Sequence, residues 1–288
     1  MAKIISAKNY LDFLSDDDEI INIPYKCIIT YLPDLSGFKK LKILNCGNNQ
    51  ITYIPSLKML KELEMLDCSD NKLNYLPELP ENLKHLECCA NNLTSLPVLP
   101  NNLIILDCYY NQITYLPDLP INLKKLICSL NLLHQLPVLP ENLELLSCYD
   151  NPLTNLPVLP KKLDTLLCYH NNLTYLPVLP ENLRTFNCMY NQLTYLPFFP
   201  ENLSNFRYDN NDIYEIINSY DLIVINQKIL ILNNFRHLYY SLKFKNQFRE
   251  LLWKKIREPR IMKQYHPDNL EKILTEKDCD LDVVLQDW

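Results

Sequence analysis

The sequence predicts an α/β-type solenoid, with short parallel strands stacked one per coil, a polyproline-like outer flank and a helical C-terminal segment. Three observations carry this. The motif Leu-x-x-Leu-x-Cys-x-x-Asn-x-Leu occurs nine times with few lapses, starting at Leu41, Leu63, Leu83, Leu103, Leu123, Leu143, Leu163, Leu183 and Leu203. The first step is 22 residues and the other seven are 20. Leu-Pro pairs recur between copies and vanish from about Asp221, where helical spacing begins.

The strand comes first. In Leu83–Leu93 the alternation Leu86, Cys88 reads as a short strand with one face inward. One 20-residue unit cannot bury that face alone, so successive coils must stack and share it. The strands then form a parallel sheet with neighbours about 4.8 Å apart. Counting from the first Leu of a copy, the alternation points positions 3 and 5 away from the core.

The flank follows. Leu76-Pro77-Glu78-Leu79-Pro80 and Leu156-Pro157-Val158-Leu159-Pro160 leave no room for a helix. Proline lacks the N–H and clashes with the preceding turn, so this side is extended and thin. The chain has only two glycines, as expected if Pro and Asn make the bends.

The pattern over residues 31–211 resembles the leucine-rich repeat, and more narrowly the short bacterial-type class with Leu-Pro-x-Leu-Pro on its outer flank. The Cys at a position usually held by Leu or Val, the Asn-, Tyr- and Ile-rich composition and the tail resemble leucine-rich-repeat proteins of giant DNA viruses. The resemblance implies a horseshoe with strands on its concave face, where positions 3, 5, 7 and 8 of each copy are exposed. It also implies a hydrogen-bonded ladder of Asn71, Asn91, Asn111, Asn131, Asn151, Asn171 and Asn191. Physics agrees about these residues. Where the chain leaves the strand, a carboxamide supplies two donors and an acceptor to stranded backbone groups.

Residues 1–40 read as an N-terminal cap with a degenerate first repeat, 41–220 as the repeat solenoid, and 221–288 as a C-terminal helical cap or tail. The tail splits by pattern into one helix through Leu230, Phe235 and Leu242 and another through Phe244, Leu251 and Ile256.

Composition excludes several functions. A net charge of −6 and a pI near 5.4 disfavour nucleic-acid binding. The N-terminus has no secretory apolar core, and no apolar run spans a bilayer, so an intracellular, cytoplasmic protein is expected, neither secreted nor membrane-inserted. Eight cysteines form a column, Cys46 to Cys188. Parallel register fits disulfide geometry poorly, and no Cys-x-x-Cys spacing offers a metal site, so they read as small core residues in a reducing compartment. Scattered histidines and the lack of a glycine-rich loop leave no catalytic constellation, no metal site, no cofactor and no small-molecule substrate.

A protein partner remains, bound on the concave face. Asp67, Asp70, Glu87 and Asp107 make the early coils acidic there. Tyr109, Tyr110, Tyr149, Tyr169 and Tyr190, beside Leu167 and Met189, make the later coils aromatic. Tyrosine buries much area with few rotors and keeps a polar tip. On this reading the tyrosines anchor a partner and the acids steer a basic segment of it. Two alternatives give the chain other work. One is an adaptor or cochaperone whose C-terminal helical tail contacts ubiquitin-ligase or chaperone machinery; there Tyr265-His266-Pro267-Asp268 is similar to the J-domain loop. The other is a structural or virion-associated protein.

Overall fold

The computed structural model describes residues 14–24, 29–252, 254–255 and 258–260. The chain divides into two compact units, Met1–Ile229 and Leu230–Trp288. The first is a solenoid of ten three-residue strands in one parallel sheet, ordered strictly along the chain. They are β1 (Ile20–Asn22), β2 (Ile43–Asn45), β3 (Met65–Asp67), β4 (His85–Glu87), β5 (Ile105–Asp107), β6 (Lys125–Ile127), β7 (Leu145–Ser147), β8 (Thr165–Leu167), β9 (Thr185–Asn187) and β10 (Asn205–Arg207). Strand β1 lies before the first full copy and pairs with β2, so the degenerate segment already supplies a rung. We number the nine copies coils 1–9, with β2 in coil 1 and β10 in coil 9.

Strands β2 to β10 occupy positions 3–5, and from β1 to β9 the middle residue is buried while its neighbours are half-buried or exposed, except Ser147 of β7, which is buried. Positions 1, 4, 6, 11 and 14 fill the core with Leu, Ile and Cys, as at Leu103, Leu106, Cys108, Ile113 and Leu116. Three local devices bend each coil. A turn closes on the flank proline, with Leu103 N–H donating to Pro100 O at 3.1 Å and Leu163 to Pro160 at 3.1 Å. The Leu-Pro-x-Leu-Pro flank carries neither helix nor strand. The third device differs from expectation. Position 8 has a left-handed backbone in every coil, with φ between 50° and 57°, and glycine never fills it. Asn48, Asp70, Asp150 and Asn210 tolerate that region, but Ala90, Tyr110, Leu130, His170 and Tyr190 pay a steric cost of roughly 1–2 kcal/mol.

The end of the stack is sealed by enlargement. In coil 9 the thiol position becomes Tyr208, which is fully buried and meets Phe199 edge-on with centroids 6.0 Å apart. The hydroxyl of Tyr208 donates to Ser219 O. A short helix α1 (Tyr214–Ile217) follows, then α2 (Leu222–Leu252). At the start of α2, Asn226 ties the helix to the flank of coil 8: its Oδ1 accepts from Phe199 N–H and its Nδ2 donates to Phe199 O, both at 2.9 Å. Ile225 and Ile229 are buried beside it. The two helices read from the tail are one continuous helix, because neither Pro nor Gly interrupts residues 222–252. Tyr265-His266-Pro267-Asp268 lies outside the described residues. No helix among the described residues is long and apolar enough to cross a membrane.

Candidate protein-interaction surface

The asparagine column is a coil-to-coil staple. Asn131 Nδ2 donates to the carbonyls of Cys108 in the coil before, Cys128 in its own coil and Ser129, at 3.0, 3.2 and 3.2 Å. Its Oδ1 accepts from Ile113 N–H of the coil before at 2.9 Å. Asn71, Asn91, Asn111, Asn151, Asn171 and Asn191 repeat this set, and Asn211 extends it to coil 9. A second ladder went unread in the sequence. Asn82, Asn102, Asn122, Asn142, Asn182 and Asn202 each donate to a carbonyl 21 residues earlier at 2.8–3.1 Å. Its signal is the Asn that stands just before the first Leu in six of the nine copies. The thiol column stacks between the asparagine staples and the strands. Burial pushes the thiols of the eight column cysteines, Cys46 to Cys188, above their ordinary range, so these buried groups stay protonated.

The outward lanes differ from this interior. Register places Asp67 beside Glu87 and Glu87 beside Asp107 on adjacent strands. Burial first, then the neighbouring acids, holds the Glu87 carboxyl above the usual carboxylate range. Asp107 is raised by burial too, against the pull of a hydrogen bond from Tyr109 N–H. Asp70 stands apart from the triad, in the left-handed lane and exposed.

The tyrosines form a connected strip. Tyr149 and Tyr169 stack at 4.3 Å with planes 8° apart, and His170 stacks on Tyr190 at 4.3 Å. Tyr169 meets His170 edge-on at 5.7 Å, joining the two pairs. Tyr109 touches both Tyr110 at 6.1 Å and Tyr149 at 6.3 Å. Tyr109 and Tyr149 sit two coils apart, about 9.6 Å at strand spacing. Their rings therefore lean together over Ser129, which is buried and bonded to Ser147 at 2.8 Å. Burial, then the neighbouring phenols, raises the Tyr149 hydroxyl. Tyr110 and Tyr190 remain exposed, while Leu167 and Met189 are half-buried alongside. His170, absent from the predicted surface, completes the strip. Its signal was its place at position 8, between Asp150 and Tyr190.

The outer flank holds another unread row. Val98, Val138, Val158 and Val178 are exposed at 85–87%, at the x of Leu-Pro-x-Leu-Pro. A groove of about 560 Å³ near β6–β9 is lined by Lys125, Glu144, Lys162, Asp164 and Arg184, charges of both signs.

The leucine-rich repeats (2 copies) family matches residues 39–81. Residues 39–81 are leucine-rich repeats. The functional domain of InlJ from Listeria monocytogenes, described as including a cysteine ladder, is 28% identical with a TM-score of 0.52. The match covers 63% of this chain and 46% of that one. YopM, a leucine-rich effector protein from Yersinia pestis, is 28% identical with a TM-score of 0.49, over 66% of this chain and 65% of its own. The leucine-rich repeat domain of LRIM1, 19% identical with a TM-score of 0.52 over 75% of this chain and 76% of that one, shares the fold. This chain thus spans less than two thirds of the length of both bacterial proteins. No curated protein is detectably similar along its sequence. Leucine-rich-repeat proteins are in general scaffolds for protein interaction.

Proposed function

We propose that this chain is a non-enzymatic scaffold that holds a protein partner on its strand face, with the tyrosine strip as anchor. The observation that carries this is the contrast between a saturated interior and an aromatic surface that continues from coil 4 to coil 8. That strip runs for about 19 Å at strand spacing. Its rings are fixed by stacking on one another, so little side-chain entropy remains to be lost when a partner covers them. Aromatic anchors of this kind dominate binding energy at protein interfaces. The thiol column, unbonded along its length, suits a reducing compartment and with it an intracellular partner.

The test is capture of partners from the native cell by the full chain and by the Tyr149→Ala, Tyr169→Ala, Tyr190→Ala triple variant. The variant should fold, since these rings lie outside the core, and should lose the proteins held by the unaltered chain. An identical set captured by both would sink the proposal.

A further inference from the structure

Two lanes run side by side along the strands and treat charge differently. At position 2 each acid meets a cation on an adjacent rung. Lys84 pairs with Glu64 at 2.9 Å, Lys124 with Glu144 at 3.2 Å and Arg184 with Asp164 at 3.6 Å, and at the N-terminal end Lys42 pairs with Glu19 at 2.9 Å. At position 5 of coils 2–4, Asp67, Glu87 and Asp107 stand in register and form no ion pair among the described residues. The fold has a device for neutralising acids and does not use it here. Like charges on neighbouring strands cost stability, so the triad is kept against its own repulsion.

Two further observations mark the same place. Asp67 and Asp107 each spend one oxygen on a backbone N–H, from Ser69 and Tyr109, both at 3.0 Å. Beside Asp67, Ser69 is only 8% exposed, and its Oγ is the one buried side-chain polar atom among the described residues without a hydrogen-bond partner. The chain has two glycines, and Gly47 lies against this carboxylate. Its φ is not positive, so conformation does not require it. A Cβ there would lie 3.2 and 3.3 Å from the two oxygens of Asp67 and 3.3 Å from Ser69 O, so these atoms would have to give by a few tenths of an ångström. The acids then lead without a break into the aromatic strip, since Asp107 and Tyr109 share coil 4.

We propose that the lane from Asp67 to Asp107 seats the arginine or lysine side chains of an extended partner segment, whose following residues lie along the tyrosine strip. This rests on the scaffold reading and deepens it. A guanidinium satisfies free carboxylate oxygens in pairs and also packs on tyrosine faces, so one cationic segment suits both halves of the surface. From coil 2 to coil 8 is six steps, about 29 Å, which an extended segment of about nine residues spans.

The experiment uses the full chain and fluorescent nonapeptides with two arginines at either end and leucine, proline and serine elsewhere. Control peptides replace arginine by glutamine. At about 50 mM salt the arginine peptide should bind, and the Asp67→Asn, Glu87→Gln, Asp107→Asn variant should weaken it at least tenfold. Cys89 supplies an independent reading. It is half-exposed beside the lane, whereas the eight column thiols are buried. The arginine peptide should slow alkylation of Cys89, located by mass spectrometry, and the glutamine peptide should not. Equal binding of the two peptides, unchanged affinity in the neutral variant, or an unprotected Cys89 would overturn the assignment. A chain that captures its partner through the tyrosines yet ignores the arginine peptide loses this inference and keeps the scaffold.

Discussion

The interior and the strand face of this solenoid are built from the same repeat under opposite rules. Inside, each coil repeats the last: a thiol, a carboxamide and four or five aliphatic side chains recur in register, and the ladder asparagines place their donors and acceptor on backbone groups. On the strand face the same register carries Asp, Glu, Ile, Ser, Leu and Asn in a single lane. Uniformity within one chain marks what stacking demands. Departure from it, above all where it costs stability, marks what stacking does not need.

The largest expected effect tests the interior. Asn131→Ala strands the Ile113 N–H and leaves the Cys108 carbonyl short of a donor, both buried, and should destabilise by about 1–3 kcal/mol. Asn122→Ala removes one bond at an exposed turn and should cost about 0.5 kcal/mol. Urea unfolding of both variants measures the gap. Equal losses would mean that the two ladders serve the stack alike.

Much of this was legible before any coordinates. The Leu, Cys and Asn columns are periodic; periodicity assigns strand and core, and the resemblance to leucine-rich repeats implies the staple. The lanes were legible as composition, since alternation sends Glu87 and Tyr149 outward. Their contacts were not. That Tyr109 reaches Tyr149 depends on Ser129 being small enough to lean over, which is a packing fact about three coils at once. The left-handed position 8 was hidden because its usual marker, glycine or asparagine, is missing at Ala90, Tyr110, Leu130, His170 and Tyr190. The outer valines carry no such signal, because the prolines beside them fix the extended flank whatever residue stands between.

Position 8 gives the middle-sized effect. Ala90→Gly relieves a left-handed alanine with φ of 51° and removes only one methyl group. The steric gain of roughly 1–2 kcal/mol outweighs the extra chain entropy of glycine, about 0.5–1 kcal/mol. A net stabilisation of about 0.5–1 kcal/mol should appear as a higher urea midpoint at unchanged slope. A lower midpoint would show that the strain at this lane is already relieved by neighbouring coils.

The smallest effect bears on the acidic lane and has a definite sign. Glu87 and Asp107 have carboxyls raised in the folded state by burial and by one another's neighbours. A raised acid binds its proton more tightly folded than unfolded. Its stabilising effect is therefore complete below the ordinary carboxylate range and is lost as pH climbs through the raised value. Other acids act in the opposite direction. Asp17, beside Lys40, and Asp34, beside Ser36, have lowered carboxyls and destabilise as pH falls. Comparison with the Glu87→Gln variant cancels their share. Between about pH 4 and 6 the stability of the unaltered chain should fall relative to the variant, leaving Glu87→Gln the more stable at pH 7. Glu87 is partly solvated and its repulsion is screened, so the difference should be a few tenths of a kcal/mol, readable as a divergence of melting temperatures across that pH range. A variant that tracks the unaltered chain at every pH would mean the three carboxylates do not repel one another, and the case for a cation drawn to them would lose its energetic basis.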